Sequence, residues 1–442
     1  MKPFLSIIVF LLLAVLPLSA QELSSPEYVS EGCEAARTKI AVYPSAEDAM
    51  LHGTNVVQSQ YLCPITEWTR SEEADATVFT SKYVIPFSWL SRLAILYVDE
   101  ASGAYEVLIN GVKVGFTANA FSATEFNVTK ASKEDVNTIQ IRLLKEHWSQ
   151  HMEDFVNTRT PRVGEVYVMS QPTIRVRDIV HSTRIDVARD NAIVEVGMVV
   201  KTESLNPKKA RIHYELVAPD TTVVTYGHRD IELGMRGEDT VKIMAQIPYA
   251  MAWCADSPTL YRLNVKTQIE GRYAEYQSHM IGFREVATNE AGELLINGVL
   301  TKLSYRDLDA MTATEKDILS AREANYNAVR FKTGAVPHRV YRMCDSLGMY
   351  VIAQVPINTS GSGQSRKVGG NPSNDPQWKA AFIDRVESAY RTTRNHASVV
   401  EYFMAEDSAN GINLYESYLR FKALEQKRPV IYLGAAGEWN SD

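Results

Sequence analysis

Two adjacent carboxylates, Glu406 and Asp407, lie where a buried strand is predicted to end. They belong to the segment FMAEDSAN, residues 403–410, which follows the β-rich run at 399–402. Carboxyl groups at a strand end can give and take protons in general acid–base catalysis. Successive residues of a strand point to opposite faces of the sheet, so neither carboxylate can replace the other. We identify Asp407 as a candidate catalytic acid/base and Glu406 as a separate candidate carboxylate.

The elements that must position these groups alternate between strand and helix after residue 286. This alternation is typical of parallel βα units and of a (β/α)₈ barrel. A whole barrel takes about 250 residues, so residues 287–442 have room for only about five strands. A hairpin at 294–303 leads into the first strand. The later strands are predicted at 327–331, 350–357, 399–404 and 429–433, and the helices at 312–325, 338–347, 414–424 and from Pro376 onward.

Local signals predict where two of these helices begin and end. Thr312 and Glu315 have the spacing of a capping box, which would open the first helix. Gly348 follows the second helix, in the position where a left-handed glycine often ends one.

The chain before residue 287 is rich in short strands and divides into two predicted domains. Residues 21–178 are predicted to form a β-sandwich, in which Asn110-Gly111 is a hairpin turn between two alternating runs. In residues 179–286 strands recur about every ten residues, the spacing of a seven-stranded immunoglobulin-like sandwich.

Residues 1–20 have the pattern of a secretory signal peptide. Lys2 supplies the positive end, residues 4–18 the apolar run, and Leu18-Ser19-Ala20 a cleavage site of small residues. We therefore expect cleavage near Ala20 and a periplasmic or secreted protein. No later stretch is long and apolar enough for a membrane span.

Composition and charge restrict the partners. The 442 residues carry a net charge of −7 and no basic stripe, which argues against a nucleic-acid partner. The Cys and His spacings predict no metal site, and no cofactor is expected. Cys33 and Cys63 lie in one region, so the sequence is compatible with a disulfide between them or with two free thiols.

The order sandwich, sandwich, barrel resembles glycoside hydrolase family 2, the family of β-galactosidases, β-glucuronidases and β-mannosidases. The resemblance extends from about residue 80 to residue 435. It implies a jelly-roll, sugar-binding-like sandwich, an immunoglobulin-like sandwich and a partial TIM-type barrel. The motifs that carry it are YEVLINGVKVG at 105–115, DSPTLY at 256–261, IGFREV at 281–286, LING at 295–298, NAVR at 327–330, CDSLGMYVI at 344–352 and RNH at 394–396.

The resemblance also implies a catalytic site, from which this sequence departs. Retaining glycosidases use two carboxylates about 5–5.5 Å apart. Aligned on Asn395 and His396, the family's Asn–Glu pair falls on Glu406 and Asp407, so both positions differ. Aspartate withdraws the carboxyl group by about 1.5 Å, one C–C bond, and a displacement of about 1 Å can cost about 10²-fold in rate. The family's nucleophile belongs to a later strand, beyond Asp442.

Other sugar-contacting positions of the family also differ here. Thr333 stands where the family has a histidine. Ionisable family positions on the third strand and its loop are replaced by Ala353, Gln354, Asn358 and Ser360. The polar and aromatic groups that remain for binding a neutral glycan at the barrel mouth are Gln354, Asn358, Tyr402 and Asn410.

Three functions fit these observations. The first is a catalytically degenerate, exported family 2 protein with a glycan-binding or assembly role. The second is an active retaining β-glycosidase that uses Asp407 with a carboxylate not identified here. The third is a structural module that binds another protein. A five-stranded barrel would leave free edges near residues 302–305 and 429–433, so we expect a second copy or another protein to cover the open side.

Overall fold

A computed structural model describes residues 25–155, 160–186, 191–332 and 334–442. The predicted signal peptide and Thr333 lie outside these described residues. The sheets form two β-sandwiches, a small hairpin sheet and one parallel sheet.

The first sandwich packs two antiparallel sheets on one core. A six-stranded sheet has the order β1-β7-β6-β9-β4-β3 and a four-stranded sheet the order β2-β10-β5-β8. Apolar side chains of both sheets, Val107 and Leu96 among them, fill the space between. The strands are β1 (Ser30–Glu31), β2 (Leu62–Ile65), β3 (Thr69–Glu72), β4 (Ala76–Ile85), β5 (Leu93–Val98), β6 (Tyr105–Ile109), β7 (Val112–Thr117), β8 (Thr124–Asn127), β9 (Asp135–Leu144) and β10 (Val166–Gln171).

The predicted Asn110-Gly111 turn is confirmed. It joins β6 to β7 as a two-residue loop. Asn110 has φ 52° and Gly111 has φ 80°. Both are left-handed, the conformation that matches the twist of the flanking strands, and Asn-Gly tolerates it best.

The second sandwich has the seven strands that its spacing predicted. Sheets β11-β12-β15 and β14-β13-β16-β17 enclose a core that includes Met198 and Leu263. Strand β11 runs across the predicted boundary at residue 178. The strands are β11 (Ile174–Asp186), β12 (Asn191–Thr202), β13 (Lys208–Val217), β14 (Val223–Leu233), β15 (Glu238–Pro248), β16 (Tyr261–Ile269) and β17 (Arg272–Ile281).

A three-stranded hairpin sheet leads into a parallel sheet of five strands in sequential order. Helices pack on one face of the parallel sheet, as βα units require. The hairpin sheet contains β18 (Val286–Thr288), β19 (Leu294–Ile296) and β20 (Val299–Leu300), and the parallel sheet β21 (Tyr305–Leu308), β22 (Ala328–Phe331), β23 (Tyr350–Gln354), β24 (Val399–Phe403) and β25 (Val430–Ile431). The α-helices are α1 (Ala46–His52) between β1 and β2, and α2 (Glu315–Glu323), α3 (His338–Leu347), α4 (Lys379–Thr393) and α5 (Ile412–Leu424) in the parallel unit.

This architecture confirms the predicted fold class, two sandwiches followed by part of a TIM-type barrel. One helix start was wrong by two residues. The carboxylate of Asp317 accepts from the N–H of Thr314 at 2.8 Å, so the capping residues are Thr314 and Asp317 rather than Thr312 and Glu315. Gly348 ends α3 with φ 73°, as predicted.

The predicted free edge at residues 429–433 is also wrong. The N–H of Asp442 donates to Val430 O at 3.0 Å, and the N–H of Val430 donates to Asp442 Oδ2 at 2.8 Å. The N–H of Tyr432 donates to Ser441 Oγ at 3.0 Å. Residues 440–442 therefore satisfy the outer side of β25, whereas β21 at the other edge is mostly exposed.

The three units are fastened to one another by buried polar contacts. Asn395 Nδ2 donates to Ile179 O at 2.6 Å, and Trp253 Nε1 donates to Asp345 O at 2.9 Å. These bonds join the second sandwich to the parallel unit, so the RNH segment at 394–396 is part of the scaffold.

Across the described ranges, no helix is long and apolar enough to cross a membrane. All four cysteines are free thiols, and Cys33 Sγ donates to Phe116 O at 3.2 Å.

A buried ion pair joins the first sandwich to α4. Arg385 Nη2 lies 2.6 Å from Glu153 Oε1, and the two side chains are 1% and 4% exposed. Burial raises the pKa of Glu153 to about 7, against the opposing effect of Arg385. Glu153 is therefore a buried partner in a contact between two units rather than part of a solvated loop.

We predict that Arg385→Met lowers the free energy of unfolding by about 3–5 kcal/mol at neutral pH, because Glu153 is left buried without its cation. In the variant, protonation of Glu153 relieves the penalty, so the loss should shrink as pH falls toward the unfolded-state pKa of about 4.5. Urea unfolding of Arg385→Met and of Glu153→Gln/Arg385→Met, which should regain part of the loss, measures this. The exposed pair Arg211–Asp230 provides the control, with Arg211→Met expected to change the free energy of unfolding far less, because solvent screens that pair. Equal losses of unfolding free energy in Arg385→Met and Arg211→Met would contradict the assignment of a stabilising buried ion pair.

Candidate functional site

Charged side chains meet at the carboxyl ends of β21, β22 and β24. Arg330 Nε donates to Asp307 Oδ1 at 2.8 Å and Arg330 Nη2 to Asp307 Oδ2 at 3.2 Å, a bidentate pair. Arg330 Nη1 lies 3.6 Å from Glu406 Oε1. Asp307 is opposite Arg330 in the strand register. The arginine therefore lies between two carboxylates, one on each side.

Two aromatic rings complete the surroundings of Arg330. Its guanidinium lies 5.2 Å from the ring centroid of Tyr305 and 4.9 Å from that of Phe403. Lys332 Nζ lies 3.0 Å from Asp307 Oδ2. Burial raises the pKa of Asp307, but hydrogen bonds from Arg330 and Lys332 outweigh it and leave the pKa below its ordinary value. The charged side chains of this group pair with one another, so the group contains no two unpaired carboxylates.

Asp407 lies away from this cluster. It is exposed and lies in the bend after β24, which ends at Phe403, so strand alternation does not set the directions of Glu406 and Asp407. It lines an open cleft of about 420 Å³ together with Gln364, Arg366, Asn410 and Glu438. In the same cleft Arg366 Nη1 donates to Glu438 Oε1 at 3.0 Å. Asp407 and Glu438 are thus two carboxylates on one cleft.

The predicted glycan contacts are not brought together in that cleft. Asn358 Nδ2 donates to Asp154 O at 2.8 Å, and its Oδ1 accepts from the N–H of Ser360 at 3.0 Å. The backbone of Asn358 bonds to Met152 and Asp154 as well. This side chain fastens the barrel loop to the first sandwich.

Tyr402 and Asn410 are also used internally. Tyr402 is fully buried, with its hydroxyl 3.2 Å from Thr393 Oγ1 and its ring against Phe421 of α5. Asn410 and Asn440 exchange side-chain hydrogen bonds, 2.8 Å and 3.3 Å long, although Asn410 also lines the Asp407 cleft. Tyr402 therefore faces the helices, and Asn410 holds Asn440 in the segment 440–442 that folds back onto β25.

Gln354 is buried, and neither atom of its side-chain amide has a hydrogen-bond partner within the described ranges. It lines a cavity of about 40 Å³ with residues of α3 and α4, separate from the Asp407 cleft. A cavity of this size accommodates a water molecule or two.

Sequence reasoning missed two residues of the sheet. Asp307 was read only as part of a short loop, although charged groups at the ends of successive parallel strands converge at one edge. Glu401 lies in the middle of β24, and burial alone raises its pKa to about 7. A glutamate in an otherwise apolar strand is a signal that could have been found in the sequence. Within the described ranges no group of three or more His, Cys, Asp or Glu side chains could hold a metal ion.

Sequence models of one family match most of the second sandwich and the parallel unit. The model "Glycosyl hydrolases family 2, TIM barrel domain" matches residues 306–441, and the model "Glycosyl hydrolases family 2" matches residues 174–284. The β-galactosidase of Yersinia enterocolitica serotype O:8 is 25% identical over 417 residues, covering 88% of this chain and 39% of the relative. The β-galactosidase of Priestia megaterium is 26% identical over 409 residues, covering 85% and 39%. The chain thus spans about two fifths of these relatives.

Solved structures agree in fold. The β-glucuronidase of Dictyoglomus thermophilum superposes with a TM-score of 0.70 at 16% identity, covering 85% of this chain and 73% of that one. A glycosyl hydrolase family 2 member from Bacteroides cellulosilyticus gives a TM-score of 0.68 at 17% identity, covering 81% and 49%. At these identities the likeness concerns the fold alone. Together with the family matches in two successive units, it leads to one conclusion: the chain belongs to glycoside hydrolase family 2.

Proposed function

We propose that this chain is a non-hydrolysing member of its family with a glycan-binding role. The observation that carries the proposal is the position of Glu406, whose carboxylate neighbours Arg330 while Asp307 holds the same guanidinium. A retaining glycosidase needs one carboxyl group to exchange a proton and a second one about 5–5.5 Å away. A carboxylate engaged by a neighbouring arginine is occupied as an ion-pair partner.

An active retaining β-glycosidase is the second candidate, because Asp407 and Glu438 line one cleft. In this alternative Glu438 would be the carboxylate that sequence reasoning left unidentified. Its pairing with Arg366 counts against a free nucleophile, but the shared cleft makes the pair testable.

We predict that the purified protein does not hydrolyse aryl β-galactosides, β-glucuronides or β-mannosides above the background of a mock preparation. Glu406 is paired, and the Asp407 carboxyl is one methylene short of the family's glutamate. Release of the aryl group, followed by absorbance, measures this. Turnover that disappears in both Asp407→Asn and Glu438→Gln, but persists in the exposed control Glu290→Gln, would establish the second candidate instead.

The Asp407 cleft supports the glycan-binding part of the proposal. Its lining combines amides with charged groups that can hydrogen-bond hydroxyls. Trp439 follows Glu438, is 58% exposed and packs on Tyr415, with ring centroids 4.9 Å apart. An exposed indole beside polar groups can stack on a sugar ring while the hydroxyls find partners.

We predict weak binding of neutral oligosaccharides, with an affinity that changes little with salt, since hydrogen bonds and stacking are screened far less than exposed charges. Calorimetry against a glycan panel measures it. Trp439→Ala should lower the affinity several-fold, and Tyr226→Ala, an exposed aromatic of the second sandwich, should not. Tight, salt-sensitive binding of acidic glycans that Trp439→Ala abolishes would contradict this prediction.

Export is a further part of the proposal. Lys2, the apolar run at 4–18 and the small residues at 18–20 support a signal peptide cleaved near Ala20, with the mature protein periplasmic or secreted.

Assembly completes the proposal, with a second copy of this chain as the partner. Strand β21 is an exposed edge, and the preceding β20 exposes Val299 and Leu300 at 66% and 59%. An edge strand beside exposed apolar side chains is a template for pairing.

We predict that light scattering gives the mass of a dimer and that Leu300→Lys shifts it toward the monomer, because a charge would be buried at the contact. Leu205→Lys, at a similarly exposed leucine of the second sandwich, should leave the mass unchanged. A monomer at every concentration tested would rule out this partner.

A further inference from the structure

A cavity of about 450 Å³ lies where all three units of the chain meet. Its lining includes His52 of α1, His279 of β17, and Arg342 of α3. It is separate from the parallel-sheet cluster and from the Asp407 cleft. Its volume is in the range of small-molecule sites, which often lie at junctions between domains.

The lining carries more positive than negative charge. Its basic side chains are Lys39, Arg262, Arg339 and Arg342, and its acidic ones are Glu315 and Asp345. Asp345 is already used, since its Oδ2 is 2.6 Å from His396 Nδ1 and its Oδ1 accepts from the N–H of Ser398 at 2.8 Å. Glu315 is exposed.

The basic groups differ in how well they are paired. Lys39 forms an ion pair with Glu165. Arg339 donates to the carbonyls of Ala313 and Met311 at 2.8 Å and 2.9 Å. Their hydrogen-bonding needs are met without a ligand.

Arg262 donates to the carbonyl of Met50. Arg342 is the exception. Its Nη1 has only a long contact of 3.5 Å with Thr54 Oγ1, and its Nε is buried with no partner in the described part of the chain. No carboxylate of the described residues lies within ion-pairing distance of it. Burial lowers the pKa of Arg342, and more distant carboxylates do not compensate. A guanidinium in this position destabilises the fold unless an anion pairs with it.

A second donor or acceptor in the lining is also unmatched. His181 Nε2 is buried and has no hydrogen-bond partner among the residues that the structure describes. Burial, reinforced by the charges of Arg284 and His279, lowers the pKa of His181 to about 3. Burial and the nearby groups His396, Lys39 and Arg342 likewise hold the pKa of His338 well below its usual value. Both rings are therefore uncharged at neutral pH, and the surplus of positive charge in the lining comes from its lysine and arginines.

We propose that this junction cavity binds a small organic oxyanion, a carboxylate or a phosphate monoester on a body the size of a monosaccharide. The planar guanidinium of Arg342 matches two oxygens of such a group. His181 supplies a further polar contact, and the surplus of positive charge favours an anion over a neutral sugar. Ordered water is the competing occupant, because a polar cavity of this size would otherwise fill with it.

Calorimetry on the whole chain tests the proposal with three probes of similar size: glucuronate, glucose 6-phosphate and galactose. We expect at least one of the two anionic probes to bind and galactose not to bind here, and the two anions tell a carboxylate site from a phosphate site. Arg342→Met should weaken binding at least tenfold, about 1.4 kcal/mol. Arg211→Met, at an exposed arginine of the second sandwich, should bind as the wild type does.

His181→Phe gives an independent variant on another element, and circular dichroism checks that each variant is folded. If Arg342→Met does not fold, His181→Phe decides, and a loss of affinity in either folded variant supports the site. Absence of binding by both anions at about 10 mM, where even an affinity of about −4 kcal/mol would register, would overturn the proposal in favour of water. Galactose binding that Arg342→Met weakens as much as it weakens glucuronate binding, or wild-type affinity in both folded variants, would overturn it as well.

Discussion

Arg330 joins the carboxyl ends of β21, β22 and β24 in the parallel sheet. One guanidinium binds Asp307 in a bidentate pair, approaches Glu406 and lies between the rings of Tyr305 and Phe403. In an α/β sheet this end is where substrates are usually bound. In this chain, that end of the sheet is occupied by the side chains of Arg330, Asp307 and Glu406. Asp407, one residue beyond Glu406 in the bend after β24, is exposed instead.

The relation of the units to one another depends on contacts that look functional when only the sequence is read. Asn358, in a loop where the family resemblance placed sugar contacts, bonds to Asp154 of the first sandwich. Glu153, in the loop on the other side of that contact, pairs with Arg385. Polar groups buried at such a junction stabilise it when they are matched.

The sequence predicts the fold well where the signal is local. The Asn110-Gly111 hairpin, the helix end at Gly348 and the alternation of strands with helices all depend on a few neighbouring residues. Site residues were harder, because the direction of a side chain depends on the face of the sheet. Tyr402 and Phe403 are adjacent, yet one packs on α5 and the other on Arg330. The return of residues 440–442 onto β25 is a long-range pairing without a sequence motif, so the edge near 429–433 was wrongly predicted to be free.

The contact between His396 and Asp345 has a consequence for proton positions. Burial raises the pKa of Asp345, but its bonds with His396 and Ser398 hold it below the ordinary value, so this carboxylate accepts and His396 Nδ1 donates. His396 Nε2 lies 3.2 Å from His338 Nδ1, so one of these two nitrogens donates a proton to the other. The tautomer of each ring therefore depends on the ring or carboxylate next to it. In the chain Asp345–His396–His338 the proton positions of the two rings are coupled, and reversing one ring would require reversing the other.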